Sequence, residues 1–179
     1  MKEIKAKKGF TIIEVILVLA IAGLIFLMVF IALPALQRGQ RDTQRRNDIS
    51  RVLSQVNSFQ TNNRGEVPQL AGETVAPDDP PLANSNLAHF LNDYLMRHVG
   101  EFNDPQSGNA YGFRGYNALG VADGTLFAAA NDSSTTSIIT FSVGARCSGE
   151  NVVGTGGLRR SVAVRITLEG AGSYCQDNQ

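Results

Sequence analysis

Glu14 is an acidic residue in an apolar place. It stands at the entry of a run of apolar and small residues from Val15 to Leu36, directly behind Lys7-Lys8-Gly9-Phe10-Thr11-Ile12-Ile13. A carboxylate in hydrocarbon is costly, most at mid-helix and less near an end, so such a residue reads as functional and needs a partner. The partner on offer is a positive charge created by cutting between Gly9 and Phe10, the new α-amino group of Phe10. Other chemistry-bearing residues are sparse. Cys147 and Cys175 are an even pair near the C-terminal end and read as a disulfide in an exported segment. A metal site is the alternative, but no histidine lies nearby to complete it. His89 and His98 sit in a separate segment and read as surface or boundary side chains. Asp78-Asp79 has no further carboxylates at calcium-loop spacing and reads as a solvated turn. The glycine-rich stretch 149–157 lacks the Gly-Lys-Ser ending of a phosphate loop. With no nucleophile, base and orienter set, the expectation is no enzyme: no catalytic residue, no metal and no cofactor.

Several elements must position these residues. All four lysines (Lys2, Lys5, Lys7, Lys8) lie in the first nine residues, against Glu3, and the positive-inside bias holds this leader cytoplasmic. Beyond it, twelve arginines face fifteen acids, so net charge does not indicate nucleic acid. From Phe10 to about Asn62 the pattern predicts one helix of two characters. Residues 10–36 are apolar all round and exceed the roughly 20 residues a bilayer takes. Residues 37–62 are amphipathic: Ile49, Val52, Leu53, Val56 and Phe59 recur at helical spacing, with Arg41, Arg45, Asp48 and Arg51 on other faces. Gly23 and Pro34 either bend this helix or mark a segment able to unwind. The arginines from Arg38 to Arg51 read as a solvated face pairing with Asp42 and Asp48; a track for DNA is the lesser reading, since no aromatic residues interleave them.

Asn62 to Pro68 ends the helix, with Gly65 as a left-handed cap. A polar loop over 69–83 follows, then a short helix from Asn84 or Ser85 to about Val99, burying Leu87, Phe90, Leu91, Tyr94 and Leu95. Asp104-Pro105 through Asn109 is a turn sequence. Strands are expected at Tyr111–Tyr116, Thr125–Ala130, Ser137–Gly144 and Ser161–Leu168, the last alternating as a half-buried antiparallel strand. Residues 149–157 read as a connecting loop, and the tail through Tyr174-Cys175 as pinned back to Cys147.

Residues 7–36 resemble the class III signal of type IV pilins and the related pseudopilins: basic leader, Gly-Phe-Thr, glutamate and apolar helix, in that order and spacing. A plain anchor would omit Glu14. A conventional signal peptide cut near Ala20-Ile21-Ala22 would have only Val15 to Leu19 as its core. The segment Asn103-Asp104-Pro105 through Gly108-Asn109-Ala110-Tyr111 is also similar to one that many pilins carry before their sheet. The resemblance implies cleavage after Gly9 by a prepilin peptidase, N-methylation of Phe10, and an assembly role for Glu14 against the Phe10 amine of a neighbour. It implies an α+β fold, a long N-terminal helix packed on an antiparallel sheet of about four strands. The domains expected are a leader (1–9), a transmembrane and filament-core half-helix (10–36), an amphipathic half-helix (37–62) and a globular head (63–179) closed by a disulfide. The implied function is structural: a subunit held in the cytoplasmic membrane with its head outside, then polymerised into a helical surface filament for adhesion, motility or DNA uptake. Its partners are other copies, the prepilin peptidase and, indirectly, an assembly platform and ATPase; nucleic acid is allowed but not indicated. A secretion or competence pseudopilin is the alternative within this class, and a membrane-anchored binding module the alternative outside it.

Overall fold

Helix α1 runs from Ile12 to Asn62 and continues through both Gly23 and Pro34. The protein is described by a computed structural model that covers residues 9–68, 74–75, 89–96, 102–131 and 137–179. The leader ahead of Gly9, Asp78-Asp79, most of the 69–83 loop, His98 and both ends of the expected 84–99 helix lie outside the described residues. The chain divides into two compact units, Met1–Gly39 and Gln40–Gln179.

In the first unit the helix has no inside. Its large apolar side chains are exposed along the run, from Ile12 at 81% to Leu36 at 63%. It is long and apolar enough to cross a membrane. In the second unit, α1 buries the stripe Ile49, Val52, Leu53, Val56 and Phe59, as the spacing predicted. The same face extends backwards through Asp42, Arg45 and Asp48, which are also buried. Arg45 is fully buried, so the arginine stretch is not simply the solvated face expected of it. The helix ends in a left-handed turn in which Arg64 (φ 57°) precedes Gly65 (φ 84°), and the Gly65 amide donates to the Gln60 carbonyl at 2.7 Å. Two left-handed residues stand where one was expected. The Arg160 guanidinium lies over Gly65, 2.7 Å from where a Cβ would stand, so a side chain there would push that arginine aside.

The buried stripe packs on a five-stranded sheet of strands β1 (Thr74–Val75), β2 (Gly112–Asn117), β3 (Ile138–Val143), β6 (Val162–Thr167) and β7 (Ser173–Asp177), in that spatial order. This is the α+β, antiparallel-rich architecture expected. One pair departs from it: β2 and β3 run parallel, Phe113 opposite Ile139 and Gly115 opposite Phe141. Parallel neighbours need a crossover, of which residues 118–131 and 137 are described. The expected strand Thr125–Ala130 falls in this crossover: Leu126 makes an isolated bridge to Val153, and Ala128–Asn131 form one turn of helix. Ahead of the sheet, His89 and Phe90 are α-helical as expected and Leu91–Met96 wind as a short π-helix, with Phe90, Leu91 and Leu95 in the core.

Two further elements escape the sequence pattern. The presumed loop 149–157 contains half of a hairpin, β4 (Ala145–Ser148) paired with β5 (Asn151–Gly154). The C-terminal tail is itself a strand, β7, paired with β6. The hairpin and crossover cover the sheet face opposite α1, around Ala118, Ala130, Ala145, Val152 and Ala163. Strand β6 is therefore buried on both faces, not one: Val162, Val164 and Ile166 face the main core, while Ala163 and Arg165 are enclosed on the other side. The expected disulfide joins Cys147 on β4 to Cys175 on β7, with Cα atoms 5.8 Å apart, and ties the hairpin layer to the edge strand. Closing a loop of that size stabilises by roughly 3 to 4 kcal/mol in the chain-entropy model.

Candidate functional site

At its N-terminal end, α1 begins with a reciprocal cap. The Thr11 backbone amide donates to Glu14 Oε2 at 2.8 Å, the Thr11 hydroxyl donates to the same oxygen at 2.9 Å, and the Glu14 amide donates to Thr11 Oγ1 at 3.4 Å. Thr11 is thus the N-cap and Glu14 the third helical residue, whose side chain reaches back to amides the helix leaves unpaired. The sequence signal for this was present in Thr-x-x-Glu, but it was read only for the charge. Glu14 is engaged by Thr11, not by Phe10, and both Thr11 bonds land on Oε2. Phe10, Glu14, Val15, Val18 and Leu19 line a groove of about 500 Å³. One carboxylate in an apolar wall suits a ligand with a cationic end and an apolar body. Gly9 and Phe10 precede the helix and are exposed, Phe10 at 90%.

A family model described as the prokaryotic N-terminal methylation motif matches residues 4–30. The chain carries a type IV prepilin signal. No curated protein and no solved structure matches it. The matched segment contains the Gly9-Phe10 junction, Thr11, Glu14 and most of the exposed apolar helix, so the groove and cap belong to the prepilin signal itself.

A second polar cluster, which the sequence reading missed, lies in the second unit, Gln40–Gln179. Arg45 donates to Asp104 Oδ1 from Nε and Nη2 (2.9 and 2.6 Å), to Glu169 Oε1 at 2.7 Å and to Asp42 Oδ1 at 3.1 Å. Arg41 grips Glu169 with a two-pronged pair at 2.8 and 2.7 Å. Asp42 in turn accepts from the backbone amides of Glu169 and Gly170. Asp104 also orders its own turn, its Oδ2 accepting the Ser107 amide at 2.9 Å. The Asp-Pro turn anticipated from sequence is thereby tied to α1 and to the β6–β7 turn.

The electrostatics follow from this packing. Donors from Arg41 hold the Glu169 carboxyl down at about 2, against the opposing effect of burial, and Arg45 adds to them. Burial pulls the Arg45 guanidinium down, but bonds to Asp104 and Glu169 outweigh it and leave it raised. One turn on, burial pushes Asp48 up, although the Tyr111 hydroxyl donates to its Oδ2 at 3.1 Å. Helical spacing alone could have flagged this cluster: positions 42, 45 and 48 share the face of Ile49, Val52 and Val56. Their charge hid it.

Proposed function

We propose that this chain is a structural subunit of a type IV pilus. The leader 1–9 is removed by a prepilin peptidase between Gly9 and Phe10, and Phe10 becomes an N-methylated terminus. Residues 10–36 hold the processed protein in the cytoplasmic membrane with its head outside. An assembly platform driven by an ATPase then moves it into a helical filament, its apolar half-helix in the filament core. No catalytic residue or cofactor enters this reading.

The observation that carries it is the combination of a prepilin signal with an apolar helix that is exposed among the described residues. A surface that apolar requires lipid or equally apolar neighbours. The groove at Glu14 gives the helix contacts a register. Oε1 is left to receive the cationic N-terminus of another copy, whose aromatic ring matches the apolar wall. That amine has an ordinary pKa of about 8 and is charged at neutral pH. Pseudopilins carry the same type of signal; the disulfide-closed C-terminal part and the Gly/Thr/Ser-rich strands favour a surface fibre.

The test is electron microscopy of sheared surface material, with mass spectrometry of its subunit. Filaments whose subunit starts at methylated Phe10 are expected, and Gly9→Val should leave unprocessed precursor in the membrane. A mature terminus at Met1 or Gly23, or processed protein that never leaves the membrane, would overturn the reading.

A further inference from the structure

The head arginines are nearly all spoken for. Arg41, Arg45, Arg51 and Arg146 make ion pairs, Arg165 donates to Ser173, Ala130 and Glu150, and Arg46 lies over the Tyr174 ring. Arg114 is also engaged. Among the described residues of the head, the guanidiniums of Arg64, Arg159 and Arg160 make no ion pair, and these three lie together. Arg160 packs against Gly65, next to Arg64. Arg159 and Arg160 line a cleft of about 470 Å³ with Gln60, Leu158, Ser161 and the chain end at Asn178 and Gln179.

The base of this cleft is fixed. The Arg160 carbonyl accepts from Gln60 Nε2 at 2.8 Å and from Asn178 Nδ2 at 3.0 Å, and Asn178 Oδ1 accepts the Val162 amide. Leu158, 58% exposed, adds an apolar shelf beside the charges. Exposed arginines that make no ion pair, beside an apolar shelf, fit carboxylates next to an apolar residue. Nucleic acid fits worse, because the lining has no aromatic ring on which a base could stack.

The same chain contains such a segment. Asp78-Asp79 is its one pair of adjacent acids, followed by Pro80-Pro81-Leu82, and it comes three residues after β1. Strands β1 and β7 are opposite edges of the sheet, and the cleft is built at the β6–β7 side. We propose that the Arg159–Arg160 cleft receives the Asp78-Asp79 segment of a second copy. A cleft and a segment that are different parts of the chain make a heterologous contact, which forms a ring if its rotation closes and an open array if it does not. The proposal deepens the filament reading and rests on it for its biological setting, but the cleft can be tested without filaments.

The processed full-length protein in detergent micelles is titrated against a fluorescent peptide of residues 76–83. Binding that weakens with salt is expected, with a loss of about tenfold or more in Arg159→Glu/Arg160→Glu protein or for a peptide carrying Asn at 78 and 79. No binding, or binding indifferent to these changes, overturns the cleft. In cells, Arg159→Glu/Arg160→Glu and Asp78→Arg/Asp79→Arg should each cut filament yield about tenfold, and the two together should restore it. Wild-type yield from either variant, or no recovery in the combination, overturns the second-copy assignment while sparing the filament reading. A wild-type chain that forms no filament overturns that reading and leaves the peptide titration to decide the cleft.

Discussion

The two halves of α1 share a backbone geometry and solve opposite electrostatic problems. Before Gly39 the helix carries one carboxylate, Glu14, in an apolar stretch, and its bonds come from the neutral donors of Thr11. After Gly39 it carries a fully buried cation, Arg45, held by three carboxylates on three different segments of the head. Among the described residues one charge has no counter-ion; the other has three. The difference teaches where each half finds its stability. The head half is held by ion pairs and a buried stripe, whereas the first half exposes its apolar side chains and bonds its carboxylate only to Thr11 among the described residues.

The largest expected effect comes from removing the incomplete charge. Glu14→Val should give cleaved, membrane-resident protein with filaments reduced to background, and an unchanged melting temperature for the head. Co-expression with wild type is the sharper measurement. Normal filaments from the variant alone, or full-efficiency incorporation beside wild type, would show that Glu14 serves only its own helix cap.

Next comes the over-compensated charge. Arg45→Met should cost the head roughly 3 to 5 kcal/mol, because it strands buried Asp104 and weakens the hold on Asp42 and Glu169. Denaturant melts of the processed protein measure this. A loss below about 1 kcal/mol, in the range of an exposed pair, would mean the cluster is ornamental and the two halves are less different than they look.

The smallest effect is a pH dependence. Glu169 is lowered from 4.5 to about 2. A carboxyl depressed in the folded state gives stability that is present above its unfolded pKa and is lost as pH falls through the folded one. Head stability should therefore decline between about 4.5 and 2, and Glu169→Gln should flatten that decline. Asp48 has the opposite sign: burial raises it, so its contribution is greatest at low pH and fades as pH rises through the folded value. An acid melt of Glu169→Gln as steep as wild type would remove Glu169 from the account.

Much of the architecture was legible because it is periodic. The stripe Ile49 to Phe59 repeats at helical spacing, and the signal at Gly9-Phe10 and Glu14 has a fixed order. The failures were physical in origin. Arg45 looked solvated because burial of a charge is written in its partners, and Asp104 and Glu169 are 59 and 124 residues away. Thr125–Ala130 has strand-like composition, but the parallel β2–β3 pair requires a crossover there, and pairing direction leaves no local mark. Strand β6 alternates Val, Ala, Val, Arg, and its second buried face was masked by the small alanine and by an arginine bonded to carbonyls and a serine. The hairpin β4–β5 was hidden by glycine at its tip.

The latches of α1 also set an order of events. Arg41 and Asp42 bond to residues 169 and 170, Ser50 bonds to Gln176 and Gln60 to Asn178, sequence separations of 118 to 128. Synthesis delivers the apolar half-helix first and these bonding partners more than a hundred residues later. The apolar half is complete while the head is still a growing chain, but the head half cannot be closed until residues 169 to 178 have emerged. Contacts this distant in sequence form late and leave an incomplete chain exposed meanwhile. A chain truncated by a dozen residues would lose all four of these partners and present an open helix face in place of a finished head.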